Sequence, residues 1–176
     1  MSRTSIPVLY IAAVIVALAL LAHGQSSKSN EKAATIIATE ADLAPSSKVE
    51  KSNEEWKALL SPAQFAVMRQ KATERPGSSA LLHEQRAGIF RCAACDAPVF
   101  ASDAKFESGT GWPSFFKTFV DKNVAIAKDK SLFTERDEVL CARCGAHLGH
   151  VFDDGPQPTG LRYCMNGVAL KFEPRQ

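Results

Sequence analysis

Two cysteine hooks limit what this chain can become. Cys92-Ala93-Ala94-Cys95 and Cys141-Ala142-Arg143-Cys144 are C-x-x-C pairs, each offering two thiolates at the bite a tetrahedral zinc accepts. If both grip one ion, the start of the cysteine-bearing region must close against its later half, over a longer span than a compact zinc finger uses. A four-cysteine site has no open coordination position, so it is structural, and its binding free energy becomes folding free energy. Asp96 and Gly145 follow the hooks, and both residue types tolerate the tight backbone of a knuckle. The same cysteines also allow two disulfides, or a redox-active C-x-x-C in either hook. A site of Cys141, Cys144, His147 and His150 would leave Cys92 and Cys95 unexplained. The paired spacing favours structural zinc on Cys92, Cys95, Cys141 and Cys144.

The compartment matters to such thiols. Ile6 to Ala22 is an uncharged run of 17 residues that follows Arg3 and gives way to polar sequence at Gln25, the layout of an export signal. Its length is at the lower limit for a membrane-spanning helix, about 17 to 25 residues. Ala22-His23-Gly24 offers a small-residue cleavage site, so a cleaved signal peptide over 1–24 and a retained membrane anchor through 6–22 both stand open. The expected location is exported, periplasmic or otherwise extracytoplasmic, where thiols oxidise unless a metal or a reductant protects them. Residues 25–52 are rich in Ser, Lys, Glu and Ala, hold too few large apolar side chains to offset the entropy of ordering, and read as a flexible tether. Without 1–24 the chain keeps 20 Lys and Arg against 19 Asp and Glu, and the sequence pI is 8.3. That balance argues against a nucleic-acid partner, for which a basic stripe and a pI above about 9 are expected.

Residues 53–176 suit one ordinary domain. Ser52-Asn53-Glu54-Glu55 has the form of a cap with an acidic first turn, predicting a helix in which Trp56, Leu59 and Leu60 share a face. Ser61-Pro62 restarts a second helix, with Phe65, Val67 and Met68 as its apolar contacts through about Lys71. Arg75-Pro76-Gly77 is a breaker. Beyond Gly88 short β-type runs follow at 89–91, 98–100, 123–126, 131–134, 138–140, 148–152 and 167–172. Many short strands between Gly and Pro turns predict a mainly β fold, antiparallel, behind a short N-terminal helical region.

Four cysteines on zinc leave Cys164 as a free thiol, in Arg162-Tyr163-Cys164-Met165-Asn166-Gly167. A lone cysteine is often only a small buried hydrophobe. Here Arg162 can stabilise a thiolate, and His147-Leu148-Gly149-His150 supplies two potential proton donors. The stiff, polar turn from Asp153 to Gly160 joins the histidine strand to the cysteine strand, which would bring His147, His150 and Cys164 into one neighbourhood. Gly109-Thr110-Gly111-Trp112-Pro113-Ser114-Phe115-Phe116 holds a Trp that either fills the core or walls a site for a small apolar group such as the methyl of an oxidised thioether.

These elements together resemble the methionine sulfoxide reductase B family: Cys92-x-x-Cys95, the run from Ser108 to Phe115, Cys141-x-x-Cys144, the run from His147 to Phe152, and the run from Gly160 to Asn166. The likeness extends from about Trp56 to Phe172. It implies two antiparallel sheets, a structural zinc on the four hook cysteines, and reduction of methionine-R-sulfoxide in oxidised proteins. Cys164 would be the nucleophile, leaving methionine and a sulfenic acid. By the same resemblance Trp112 packs on the substrate methyl, His147, His150 and Asn166 organise the network at the sulfoxide oxygen, Arg162 favours the thiolate, and Asp154 orients that network. Thr110 stands where many members carry a resolving cysteine, which implies a single-cysteine enzyme recycled by an external thiol such as a thioredoxin-like protein. Gly167 replaces a small hydroxyl residue often found after the family Asn. The chief rival reading is an exported zinc-ribbon binding module without catalysis; a third makes the protein a sulfenate sensor or a thiol-exchange partner through Cys164.

Overall fold

The computed structural model describes residues 36–43, 47–132 and 134–175. The signal-peptide or anchor reading of 1–24 lies outside them, and among the described residues no helix is long and apolar enough to cross a membrane. Among the described residues three α-helices come first: α1 (Glu40–Leu43), α2 (Asn53–Leu59) and α3 (Pro62–Gln70). Ser52 Oγ accepts the Glu55 N–H at 3.2 Å while Glu55 accepts the Ser52 N–H at 2.7 Å, and Ser61 with Gln64 repeats this reciprocal box at the head of α3. Such pairs satisfy the amide donors a helix start leaves open. Pro62 occupies the first turn, where its missing N–H costs nothing. Trp56, Phe65, Val67 and Met68 are buried, as expected, but Leu59 is 62% exposed. Leu60, at the C-cap of α2, takes extended backbone angles; the chain turns inward there, so Leu60 is buried and Leu59 stays in solvent.

Nine strands follow: β1 (Gly88–Cys92), β2 (Pro98–Ala101), β3 (Lys105–Phe106), β4 (Ser114–Phe115), β5 (Val124–Leu132), β6 (Thr134–Cys141), β7 (His147–Phe152), β8 (Arg162–Met165) and β9 (Leu170–Pro174). They form two antiparallel sheets, one ordered β2-β1-β9 and the other β3-β4-β8-β7-β6-β5. Between them Phe100 stacks on Phe115 at 4.5 Å and Phe90 meets Phe115 edge-on at 4.9 Å. All three rings are fully buried, and each contributes about 1.5–3 kcal/mol by leaving water.

Two strand expectations change. Residues 123–126 and 131–134 read as separate runs because Lys128-Asp129-Lys130 interrupts the apolar pattern, yet β5 passes through all three. Successive strand side chains point to opposite faces: Lys128 and Lys130 stay exposed and pair with Glu135 and Asp137, while Asp129 turns inward. The run 167–172 is divided, Gly167–Ala169 forming a 3-10 turn before β9 begins.

Parts of the stretch read as a tether are docked. Asp42 is 3% exposed and receives Arg91 at 2.9 Å and Arg175 at 2.7 Å, while the Val49 N–H donates to the Arg143 carbonyl at 2.9 Å. Burial pushes the Asp42 carboxyl up, but hydrogen bonds from Thr39 and the two arginines outweigh it and hold it at about 2. Local composition does not reveal this, because Arg91 and Arg175 lie 49 and 133 positions away.

Candidate active site

Pairing between β7 and β8 sets His150 opposite Cys164 and Gly149 opposite Met165, and β4 sets Ser114 against Cys164 from the other side. Residues paired across strands share a face, and so do residues two apart along one. Cys164 therefore emerges beside His150 and with Arg162. A cavity of about 310 Å³ opens there, lined by Cys164, Thr110, Trp112, His150, Arg162 and Asn166 among others.

Several bonds hold this lining in place. The Trp112 indole N–H donates to the Glu74 carbonyl at 3.1 Å. Asn166 accepts the Glu74 N–H at 3.0 Å and donates to the Leu148 carbonyl at 3.1 Å. Arg162 donates to both carboxylate oxygens of Asp154 at 2.8 Å and lies 4.5 Å over the Phe152 ring. Asp154 itself is exposed, its carboxyl lowered by the Arg162 hydrogen bonds, and it holds Arg162 rather than a histidine.

The histidines rest on other carboxylates. His147 Nδ1 lies 2.8 Å from Glu138, whose second oxygen takes Lys71 at 2.8 Å. His150 Nε2 lies 2.8 Å from Asp129, which also takes Arg136 at 2.7 Å. Burial raises Glu138, but Lys71 and His147 outweigh it and leave the acid below its usual range. Burial drives His147 down against the pull of Glu138. An ionised Glu138 beside a neutral His147 places the imidazole proton on Nδ1, facing the carboxylate. Its Nε2 is then a buried acceptor with no partner among the described residues. His147 stands behind the cavity, its ring 5.3 Å from that of His150.

The nucleophile candidate feels opposed forces. Burial pushes the Cys164 thiol up, while the Thr110 hydroxyl, 3.9 Å away, and the Arg162 guanidinium pull it down; burial is the larger effect. Arg162 acts toward the thiolate without producing a low-pKa cysteine.

The four hook cysteines converge elsewhere. Each hook is a strand end followed by the same turn: the Asp96 N–H returns to the Cys92 carbonyl and the Gly145 N–H to that of Cys141, both at 2.8 Å. Asp96 and Gly145 take φ of +67° and +68°, the left-handed region that the knuckle requires. All four Sγ atoms lie within 4.8 Å of one another, with Cys92 to Cys144 at 3.7 Å and Cys95 to Cys141 at 3.5 Å. Tetrahedral zinc with bonds of about 2.3 Å calls for sulfur separations of about 3.8 Å, so the donor set can hold a metal ion and fits zinc in size and softness. One hook closes β1 of the smaller sheet and the other β6 of the larger, and an ion there would pin the sheets together.

Sequence reasoning missed Glu74, Asp129, Arg136 and Glu138. Glu138 heads a strand-like run, where a carboxylate that turns inward requires a partner, but the run does not say which way it turns.

Fold and site together define a small β protein on a cysteine-hook scaffold, with one free thiol in a cavity walled by an indole and a histidine. Residues 60–174 match the SelR domain family. A Methanosarcina mazei protein named peptide methionine sulfoxide reductase MsrB is 56% identical over 125 residues, covering 71% of this chain and 89% of its own. Namesakes from Bradyrhizobium diazoefficiens and Pseudomonas putida are 57% and 52% identical, each over 73% of this chain and 92% and 96% of their own. The solved structure of a Mis18 "Yippee-like" domain is 19% identical over 52% of this chain and 99% of its own, with a TM-score of 0.42, a likeness too slight to carry an argument. The chain belongs to the SelR domain family of B-type methionine sulfoxide reductases, and its activity is that of a peptide-methionine (R)-S-oxide reductase, an oxidoreductase. That activity implies oxidised proteins carrying methionine sulfoxide as substrates and a thiol as reductant. Family membership sets aside the reading as a non-catalytic binding module.

Proposed function

We propose that Cys164 performs the reduction as the sole redox cysteine. Its sulfur attacks the sulfoxide sulfur; the thioether leaves with two more electrons and the oxygen remains on Cys164 as a sulfenic acid. One external thiol then condenses with the sulfenic acid, releasing water and forming a mixed disulfide, and a second thiol releases Cys164 and carries away the disulfide. The observation that carries this reading is the cavity itself, which gathers the one cysteine outside the metal cluster with Trp112, His150, Arg162 and Asn166.

In this reading Trp112 receives the substrate methyl. His150 and Asn166 address the sulfoxide oxygen, and His147, neutral and with no partner at Nε2 among the described residues, supports the water through which a proton reaches it. Asp154 keeps Arg162 turned toward the thiol. Because burial holds the free thiol up, the proton that Cys164 sheds on attack is available to the sulfoxide oxygen as that oxygen passes to Cys164, and no separate acid need be charged beforehand. Cys92, Cys95, Cys141 and Cys144 would hold zinc, which supplies a structural cross-link and no open position for substrate. We also place the activity outside the cytoplasm, on the strength of the apolar run 6–22 alone.

The test is turnover of R- and S-sulfoxides by the full chain with a small dithiol, beside Cys164→Ser. Reduction of the R form alone, abolished in the variant, is expected. Undiminished turnover by Cys164→Ser would refute the assignment of the nucleophile.

A further inference from the structure

Glu74 joins pieces of the site that lie far apart in sequence. Its carbonyl accepts the Trp112 indole N–H, and its own N–H donates to the Asn166 side chain. Its carboxylate accepts the Gly167 N–H at 2.6 Å on one oxygen and the Val168 N–H at 3.0 Å on the other. The residue is thus fastened by its side chain to the turn directly after Asn166, and by its main chain to the indole wall and to Asn166 itself. Farther along the same arm the Gly77 N–H donates to the Gly111 carbonyl at 2.7 Å.

The main chain of the Trp112 loop is tied by the Ser114 hydroxyl on the Trp112 carbonyl and by the Met165 N–H on the Pro113 carbonyl, but the single N–H of the indole is satisfied from outside the loop. The Glu74 carbonyl is that partner, and it stays in place because two charge-assisted hydrogen bonds anchor the carboxylate of the same residue. Glu74 does not line the cavity, whereas its neighbour Thr73 does.

We propose that Glu74 is a positioning residue that sets the gap between the Trp112 ring and the Cys164 sulfur, and through that gap the size of the S-alkyl group the enzyme accepts. The inference rests on the reading of Trp112 as the wall for the substrate methyl. An arm that loses its anchor lets the indole drift, and the cost falls on fit to the methyl group before it falls on the reactivity of the thiol.

The test compares full-length wild type, Glu74→Gln and Glu74→Ala on N-acetyl-methionine R-sulfoxide and its S-ethyl counterpart. One methylene in a fitted pocket is worth about tenfold or more in discrimination, and Glu74→Ala is expected to lose most of it, with KM for the methyl substrate rising more than kcat falls. Glu74→Gln, which keeps one acceptor oxygen, should fall between. Alkylation of Cys164 by iodoacetamide should stay within about twofold, since truncating a partner outside the cavity leaves the thiol's own contacts intact. A lower Tm with unchanged KM and unchanged methyl-to-ethyl preference, in whichever variant folds, would show that Glu74 is only a structural strut and overturn the proposal. If the wild type itself reduces neither sulfoxide, the reading beneath the inference fails first, and that outcome is visible without any Glu74 variant.

Discussion

Gly149 offers a sharp test of how closely the site is built. It lies in β7 opposite Met165, one residue before His150. A Cβ added there would stand 2.1 Å from the Cys164 carbonyl oxygen and 3.0 Å from Met165 Cα. Against an ordinary contact of 3.4 Å, the shortfall is about 1.3 Å, and it falls on main chain that no rotamer change can move. Its φ lies outside the left-handed region, so Gly149→Ala adds crowding without conformational strain. Overpacking of this kind costs about 1–3 kcal/mol, which in a domain of this size lowers Tm by about 4–12 °C. The catalytic loss should be larger than stability implies. Pushing β8 away by about 1 Å shifts Cys164 relative to His150 and Trp112, and misplacement on that scale costs about a hundredfold in rate. Thermal unfolding and steady-state reduction of the R-sulfoxide measure the two effects on one preparation. A Gly149→Ala protein that kept both wild-type Tm and wild-type kcat would refute the claim that direct β7–β8 contact holds Cys164 in place.

Cys164 should react with iodoacetamide along a pH profile that inflects above the ordinary thiol range, because burial raises it; Arg162→Met should move the inflection further up and slow the reaction at neutral pH, and an unchanged profile would remove Arg162 from the account. Asp42 is held at about 2 against 3.8 for the free group, so its contribution, about 2 kcal/mol by linkage, is present above pH 3.8 and lost as pH falls toward 2. Melting curves of wild type and Asp42→Asn should therefore differ near neutrality and converge in acid, and a gap that persisted at the lowest pH would contradict the ion-pair explanation. Structural zinc is worth about 10–16 kcal/mol, comparable with or above the whole stability of a typical domain at about 5–15 kcal/mol. Stripping the metal with a chelator, or Cys141→Ser, should abolish the near-UV circular dichroism of the fold, whereas a metal-free protein with an intact spectrum would show that the hooks do not carry it.

Much of the scaffold is written locally. Ser52 with Glu55 and Ser61 with Gln64 start helices wherever they stand, since a capping box needs only residues three apart. The two C-x-x-C hooks announce a shared four-cysteine cluster by spacing, and once four cysteines are assigned, Cys164 stands out by subtraction. The ordered motifs around Trp112, His147, His150 and Cys164 pointed to the family before any geometry was known. What local pattern did not yield is the layer behind those residues. Asp129 hid in a charged triplet that looks like a turn and proved to be strand, and Glu138 looked like an ordinary strand residue until β6 paired with β7. Asp154 was expected to orient the network at the sulfoxide oxygen; its partner is Arg162, while Glu138 and Asp129 meet the imidazoles, because strand register, not nearness in sequence, decides which carboxylate meets which imidazole. Asp42 found its arginines across 49 and 133 positions, and Glu74 reached Val168 across 94. The sequence by itself determined the hooks, the caps and the free thiol, all of them matters of residue type and short spacing. Only the tertiary structure decided who supports the site, since that depends on which backbones lie side by side once both sheets have closed.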